Sequence, residues 1–285
     1  MYNTRYKVII FLAIIILTLT TCSKKEQAAN EVLSAKEITN AFSENILEEE
    51  YQSLIRPFVE AIKNNNKERI ADLILYPLRR QYPIPSINNR HEMLERYNQV
   101  FDNTLINIIK NSSVETNWSA VGWRGIMLND GLIWIDYDGQ IYSINYQSSQ
   151  EREIRNNNIL EIKNNLHESL RDFEEPRLLC ETENYIVRID LLYHDNYRLA
   201  LWTKEKNQNE PPDIIITNGE RTFDGSGGNH YYVFTDNNNQ YILFVDVLSR
   251  SYGNFITYRG FDKDWYARVN RNNIISEENI IRIEN

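Results

Sequence analysis

All ten glycines of this 285-residue chain lie at or after Gly122. No other feature limits the fold as much. Glycine supplies the positive-φ corners of tight turns, so residues 1–121 have few ways to make hairpins and the remainder has many. Proline adds to the division: Pro57, Pro77, Pro83 and Pro85 fall in the front, and none follows until Pro176. The expectation is a helical front and a back of strands and turns.

The apolar periods agree with that division. Leu54, Phe58 and Ile62 recur every four residues, with Ile55 and Val59 beside them, which predicts a helix with one buried stripe. Pro57 predicts a kink there, or a helix that starts near it. Ile70, Leu73 and Ile74 mark a second, short helix that Tyr76-Pro77 ends. A third helix opens at Asn89, with Glu92 as a capping-box partner, and turns Leu94, Tyr97, Phe101, Leu105 and Ile108 inward. The period then changes to two. Gly125–Leu128, Leu132–Tyr137 and Ile141–Tyr146 are separated by Asn129-Asp130-Gly131 and Asp138-Gly139, the signature of an antiparallel meander. Residues 151–173 read as a connecting helix with Ile159, Ile162, Leu166 and Leu170 on one face. Strands are predicted at 178–181, 185–192, 197–202, 213–217, 231–235, 241–247, 255–259 and 265–269, with a turn at Asn218-Gly219. So many short strands suggest a small all-β barrel or sandwich over residues 174–285.

Over residues 50–150 the order of elements resembles the NTF2-like α+β fold, as found in small exported bacterial proteins. Four stretches carry the resemblance: Phe58–Lys63, Ile70–Leu73 running into Tyr76-Pro77-Leu78, Glu95–Phe101, and Gly125–Trp134. It implies helices on a curved antiparallel sheet, forming a cone that holds a small ligand, an active site or packed side chains.

The N-terminus reads as an export signal. Arg5 and Lys7 precede the apolar run Val8–Leu19, and no charge follows before Cys22. The run is shorter than the roughly 20 residues a spanning helix needs. Leu19-Thr20-Thr21-Cys22 resembles the bacterial lipobox. That resemblance implies cleavage after residue 21, acylation of Cys22, and stable membrane anchoring by several acyl chains. Ser23 in place of the aspartate that retains lipoproteins at the inner membrane implies the outer membrane of a two-membrane bacterium. The alternative is an uncleaved signal anchor. Residues 22–49, polar with few large apolar side chains, read as a tether.

Charge narrows the partners. The chain carries a formal −9, and removing Arg5 and Lys7 moves it two units further negative. Nucleic acid is excluded for want of a basic surface; a basic protein or a peptidoglycan-related partner remains. Acylation of Cys22 leaves Cys180 as the one other cysteine, expected as a small buried hydrophobe.

Two places hold candidate chemistry. The loop Gly225-Ser226-Gly227-Gly228-Asn229-His230-Tyr231 lacks phosphate-cradle spacing. It reads as a structural turn or bulge, or as a protein-recognition loop. Residues Ser226–Tyr231 are similar to the Ser-Gly-x-x-Tyr loop of the periplasmic and membrane-bound inhibitors of c-type lysozyme, one residue longer. Asp136, sharing a strand face with Trp134, is a candidate general base inside the cone, or a rim or salt-bridged carboxylate. No metal-ligand spacing, cofactor fingerprint or nucleophile elbow occurs. The leading expectation is therefore a lipid-anchored envelope binding protein without catalysis; the alternatives are an enzyme or small-ligand carrier using the cone, or a lysozyme-inhibitor-like role. The anchor is testable directly: Cys22→Ala should abolish radiolabelled palmitate incorporation, and label retained by the variant would refute acylation at that residue.

Overall fold

The computed structural model describes residues 47–247, 252–259 and 273–284. The signal peptide, Cys22, nearly all of the tether and the expected strand at 265–269 lie outside the described residues. No helix among the described residues is long and apolar enough to cross a membrane. The fold is mixed helix and strand: helices with a small four-stranded sheet, then a strongly curled antiparallel sheet.

Helix α1 (Glu49–Lys63) buries Ile55, Phe58, Val59 and Ile62. It runs through Pro57 and starts well before it, correcting the expectation of a start near that residue. Burial of the stripe offsets the roughly 3 kcal/mol cost of an interior proline. Helix α2 (Lys67–Asp72) follows, capped by Asn66. The single third helix is instead three pieces: α3 (Arg90–Glu95), α4 (Tyr97–Val100) and α5 (Asn103–Lys110). Asn89 caps α3 through the amide of Glu92, while Glu92 Oε2 reaches back to the amide of Asn88 rather than of Asn89. Asp102 caps α5 by accepting from Leu105 N at 2.9 Å, which starts a new helix where the sequence pattern runs on.

The three expected strands form, and an unanticipated one precedes them: β1 (Trp118–Ala120), β2 (Ile126–Leu128), β3 (Ile133–Ile135) and β4 (Ile141–Ile144) pair in sequence order. Its core side meets the helices in one apolar cluster. Phe58 sits between Phe101 and Trp118, with ring centroids 6.3 and 6.4 Å away.

Helix α6 (Ser149–Asn165) leads into the second sheet. That sheet has nine strands: β5 (Glu175–Glu181), β6 (Tyr185–Leu192), β7 (Asn196–Thr203), β8 (Ile214–Phe223), β9 (His230–Asp236), β10 (Asn239–Val245), β11 (Asn254–Arg259), β12 (Ile274–Asn279) and β13 (Arg282–Glu284). From β5 to β12 each strand pairs antiparallel with the next, and β13 pairs with β5. So β12 and β13, two residues apart in the chain, occupy opposite edges of the sheet. The sheet therefore curls until one segment hydrogen-bonds both edges. Ile280 N donates to Gly253 O and Ile281 N to Glu181 O. Leu178, Cys180, Val187, Ile189, Leu199, Leu201, Tyr232, Phe234, Leu243 and Phe255 fill the concave side. Asn218-Gly219 is not a turn but lies inside β8, opposite a register shift in β7. A side chain at Gly219 would come within 2.1 Å of the Phe234 ring, so only glycine lets that ring pack.

Strand β6 is buried on both faces. Its outer side, with that of β7, packs on α6 and the 3₁₀ turn after it: Leu166, Leu170 and Phe173 against Ala200 and Trp202. The same layer holds charge. Arg188 and Arg198 converge on Asp190 at 2.6 and 2.8 Å, all three nearly inaccessible. Tyr82 hydrogen-bonds Arg188, and its carbonyl accepts from Arg155 Nε at 2.9 Å. Asn158 binds the neighbouring carbonyl of Pro83. The front of the chain is thus bolted to both α6 and the curled sheet.

Arg80 and Glu151 complete that fixation. Arg80 grips both carboxylate oxygens, Nε to Oε1 at 2.8 Å and Nη2 to Oε2, and donates to the carbonyls of Ile144 at 2.5 Å and Tyr146 at 2.8 Å. Neither side chain is more than 3% exposed. Removing one partner should strand a buried charge. Arg80→Met or Glu151→Leu is expected to lose about 3–5 kcal/mol in urea unfolding followed by tryptophan fluorescence, and the double variant to regain much of it. Single variants within about 1 kcal/mol of the parent, the range of an exposed pair, would contradict this reading.

Candidate binding surface

The glycine-rich loop joins β8 to β9. Gly225 and Gly228 take φ of +72° and +92°, a conformation that L side chains rarely adopt. Asp224 N donates to Asn229 O at 2.7 Å, closing the loop at its base. Asn229 Oδ1 accepts from Val247 N at 2.9 Å, which ties the loop to the chain leaving β10. Gly225 and Ser226 are exposed, while Gly227, Gly228, Asn229, His230 and Tyr231 are half-buried. The loop is therefore a braced hairpin with a projecting tip.

His230 is sandwiched at its base. Its ring lies 5.8 Å from that of Phe223 and 5.3 Å from that of Tyr232, and Nδ1 is 2.9 Å from Gly228 O. Arg221 stacks over Phe223 at 4.8 Å. A cleft of about 220 Å³ opens beside His230, between Asp224, Val245 and Gly253.

Trp134 and Asp136 lie on the side of β3 away from the core, which fits the rim alternative for Asp136 and not a base inside the cone. Ile133 and Ile135 take the core side of β3, so Trp134 and Asp136 face away from it. Asp136 Oδ1 accepts from Asp138 N at 3.0 Å and Gln140 N at 2.8 Å, which fixes the β3–β4 turn. The pleat explains this: alternation along three residues decides the face, and the isoleucines win the interior. Asp136 is a turn-forming carboxylate, and the core side of the small sheet is packed with apolar side chains against the helices. Cys180 faces the curled sheet's interior and is fully buried, which raises its thiol pKa above the usual range and leaves it without nucleophilic character.

The structure does bring Trp134 and the glycine loop together, through a residue that the sequence reading passed over. The Arg124 guanidinium covers the Trp134 ring at 5.3 Å, and its Nη1 lies 3.4 Å from the carbonyl oxygen of Ser226. Its own carbonyl accepts from Tyr142 Oη at 2.7 Å, and burial pushes that phenol up to about 12. The two segments that meet here each carry an exposed aromatic side chain next to or near the contact in sequence, Trp123 at 65% exposure and Phe223 at 59%. Gly122-Trp123-Arg124-Gly125, a tryptophan between two glycines, was the signal available for this loop. Among the described residues no group of three His, Cys, Asp or Glu side chains could hold a metal ion. Comparison with protein families, with characterised proteins and with solved structures finds no match.

The state of His230 yields a pH prediction. Burial lowers its pKa below the ordinary 6.5, Arg221 adds to that, and the Gly228 carbonyl opposes it. The unfolded chain therefore takes up this proton first as pH falls. Stability from the neutral ring is complete above about 6.5 and declines below it, levelling off once the folded ring also protonates. His230→Gln should flatten the loss of thermal stability between about pH 7 and pH 5. Parallel profiles for variant and parent would show that other groups carry the acid sensitivity.

Proposed function

We propose that this protein is a non-catalytic binding component of the bacterial cell envelope, held there by acylated Cys22. In this reading it binds through the surface where the β1–β2 loop meets the glycine hairpin. The observation that carries the reading is the pair Trp123 and Phe223. Large aromatic side chains standing in solvent on or beside braced loops suit recognition, since they offer contact area with little side-chain entropy to lose. The packed helical core and the turn-bound Asp136 favour binding over catalysis. The order of helices followed by a meander supports an NTF2-like architecture whose cone is filled.

The acidic chain favours a basic protein as partner, because opposite charge speeds encounter. The exposed tip at Ser226 supports a second reading, in which the hairpin enters the cleft of a c-type lysozyme. One experiment separates the possibilities. The full chain in detergent should capture a partner from envelope extract, and Trp123→Ala with Phe223→Ala should lose it. Capture unaffected by both substitutions would remove this surface from consideration. Inhibition of a c-type lysozyme by the parent, lost on Ser226→Trp, would identify the second reading.

A further inference from the structure

We propose that the cleft between the end of α6 and the β7–β8 connection binds a short peptide through its free ammonium and carboxylate ends. The peptide chemistry stands on this cleft alone; the wall as its source rests on the envelope reading above.

The cleft has a volume of about 340 Å³ and lies far in sequence from the glycine hairpin. Its floor is Leu166, where α6 has just ended. Its walls are polar. Small-molecule pockets are mostly apolar, so a cleft of this composition suits a hydrophilic ligand that keeps its charges.

Both lips are fixed. His167 N donates to Gln208 O at 3.0 Å, joining the post-α6 turn to residues 204–213 between β7 and β8. That connection is braced by Trp202 Nε1 on Glu210 O at 3.0 Å, by Asn207 N on Glu210 Oε1 at 2.8 Å, and by a Lys206–Asp213 ion pair. Rigid walls reduce the ordering that binding would otherwise require.

The donors and acceptors match a peptide. Glu168 and Arg171 stand three apart on a 3₁₀ turn, which has three residues per turn and so sets them on one side. They do not pair with each other. Arg171 Nε donates to Leu166 O at 3.0 Å, which draws the guanidinium to the floor and leaves its Nη groups for an incoming carboxylate. Glu168 makes no ion pair within the described residues and is left for an ammonium. Asn164, Asn165 and Asn209 also line the cleft, and their side-chain amides make no hydrogen bond within the described residues. A side-chain amide offers the donor and acceptor that a peptide bond requires. His167 Nδ1 is held by Ser169 Oγ at 2.9 Å, so Nε2 is the nitrogen left over.

The test uses the full chain in detergent and triglycine as probe, followed by calorimetry. Triglycine should saturate with a Kd on the order of 1 mM. N-acetyl-triglycine and triglycine amide should each bind about tenfold more weakly, since each loses one charge-assisted contact. Arg171→Met should bind triglycine and its amide alike, and Glu168→Gln should bind triglycine and its N-acetyl form alike. Both residues are exposed, so far-UV circular dichroism should be unchanged. Soluble wall peptides binding more tightly than triglycine would mark the wall as source, and equal binding would mark free peptides. No saturation by about 10 mM, or binding indifferent to both substitutions and both end groups, overturns the proposal. Trp123→Ala leaves this titration untouched, so failure of the aromatic surface and failure of the cleft are distinguishable.

Discussion

The Arg80–Glu151 pair is the contact on which the arrangement of the whole chain depends. One guanidinium satisfies a carboxylate from α6 and two carbonyls from the end of the meander. Ser148 caps α6 beside it, accepting from Glu151 N at 3.0 Å and donating to Gln99 O at 2.5 Å. The first turn of α6 is thereby fixed to the helices, to the small sheet and to the proline-rich segment at once. Two charges out of water are costly when separated, so the pair defines one acceptable position for α6. The polar cleft at the end of α6 follows from that position.

Farther along the same helix, charge gives way to apolar contact. Glu151 and Arg155 face the front of the chain, whereas Ile159 and Ile162 face the curled sheet. One helix thus addresses two different surfaces with two different chemistries. The Arg188–Asp190–Arg198 cluster does for the sheet what Arg80 does for the helices. Its Arg198 guanidinium binds the carbonyls of Leu170 and Asp172 as well as the carboxylate, and so fixes the chain that leaves α6.

Glycine placement and apolar period were enough to locate the helices, the meander and most strands of the second sheet. They failed where tertiary contact decides. Asp102 reads as one polar residue inside a helix, yet its cap splits that helix. Asn218-Gly219 reads as a turn, yet the approach of Phe234 makes it an interior feature of β8. The stretch 274–284 is rich in acids and isoleucine, and its strands went unrecognised because they pair with residues remote in sequence. Arg80, Glu151, Arg188 and Asp190 went unmarked because burial of an ion pair leaves no periodic trace. At the candidate surface, the glycine hairpin was legible from its composition. Of the two readings of Asp136, the rim carboxylate fits and the base inside a cone does not; Arg124, which links Trp134 to Ser226, was marked by nothing more than the flanking Gly122 and Gly125.

The bridging of both sheet edges by residues 274–284 has a kinetic consequence. The contact of Arg282 with Glu181 spans 101 residues. Pairings so distant in sequence form late, because a large loop must close before they contribute. The preceding strands can zip up neighbour by neighbour, but until that last segment arrives they remain an open ribbon with two unsatisfied margins, prone to pairing with other chains. Under the proposed export, such lateness would keep the polypeptide threadable during passage and confine the final locking step to the far side of the membrane.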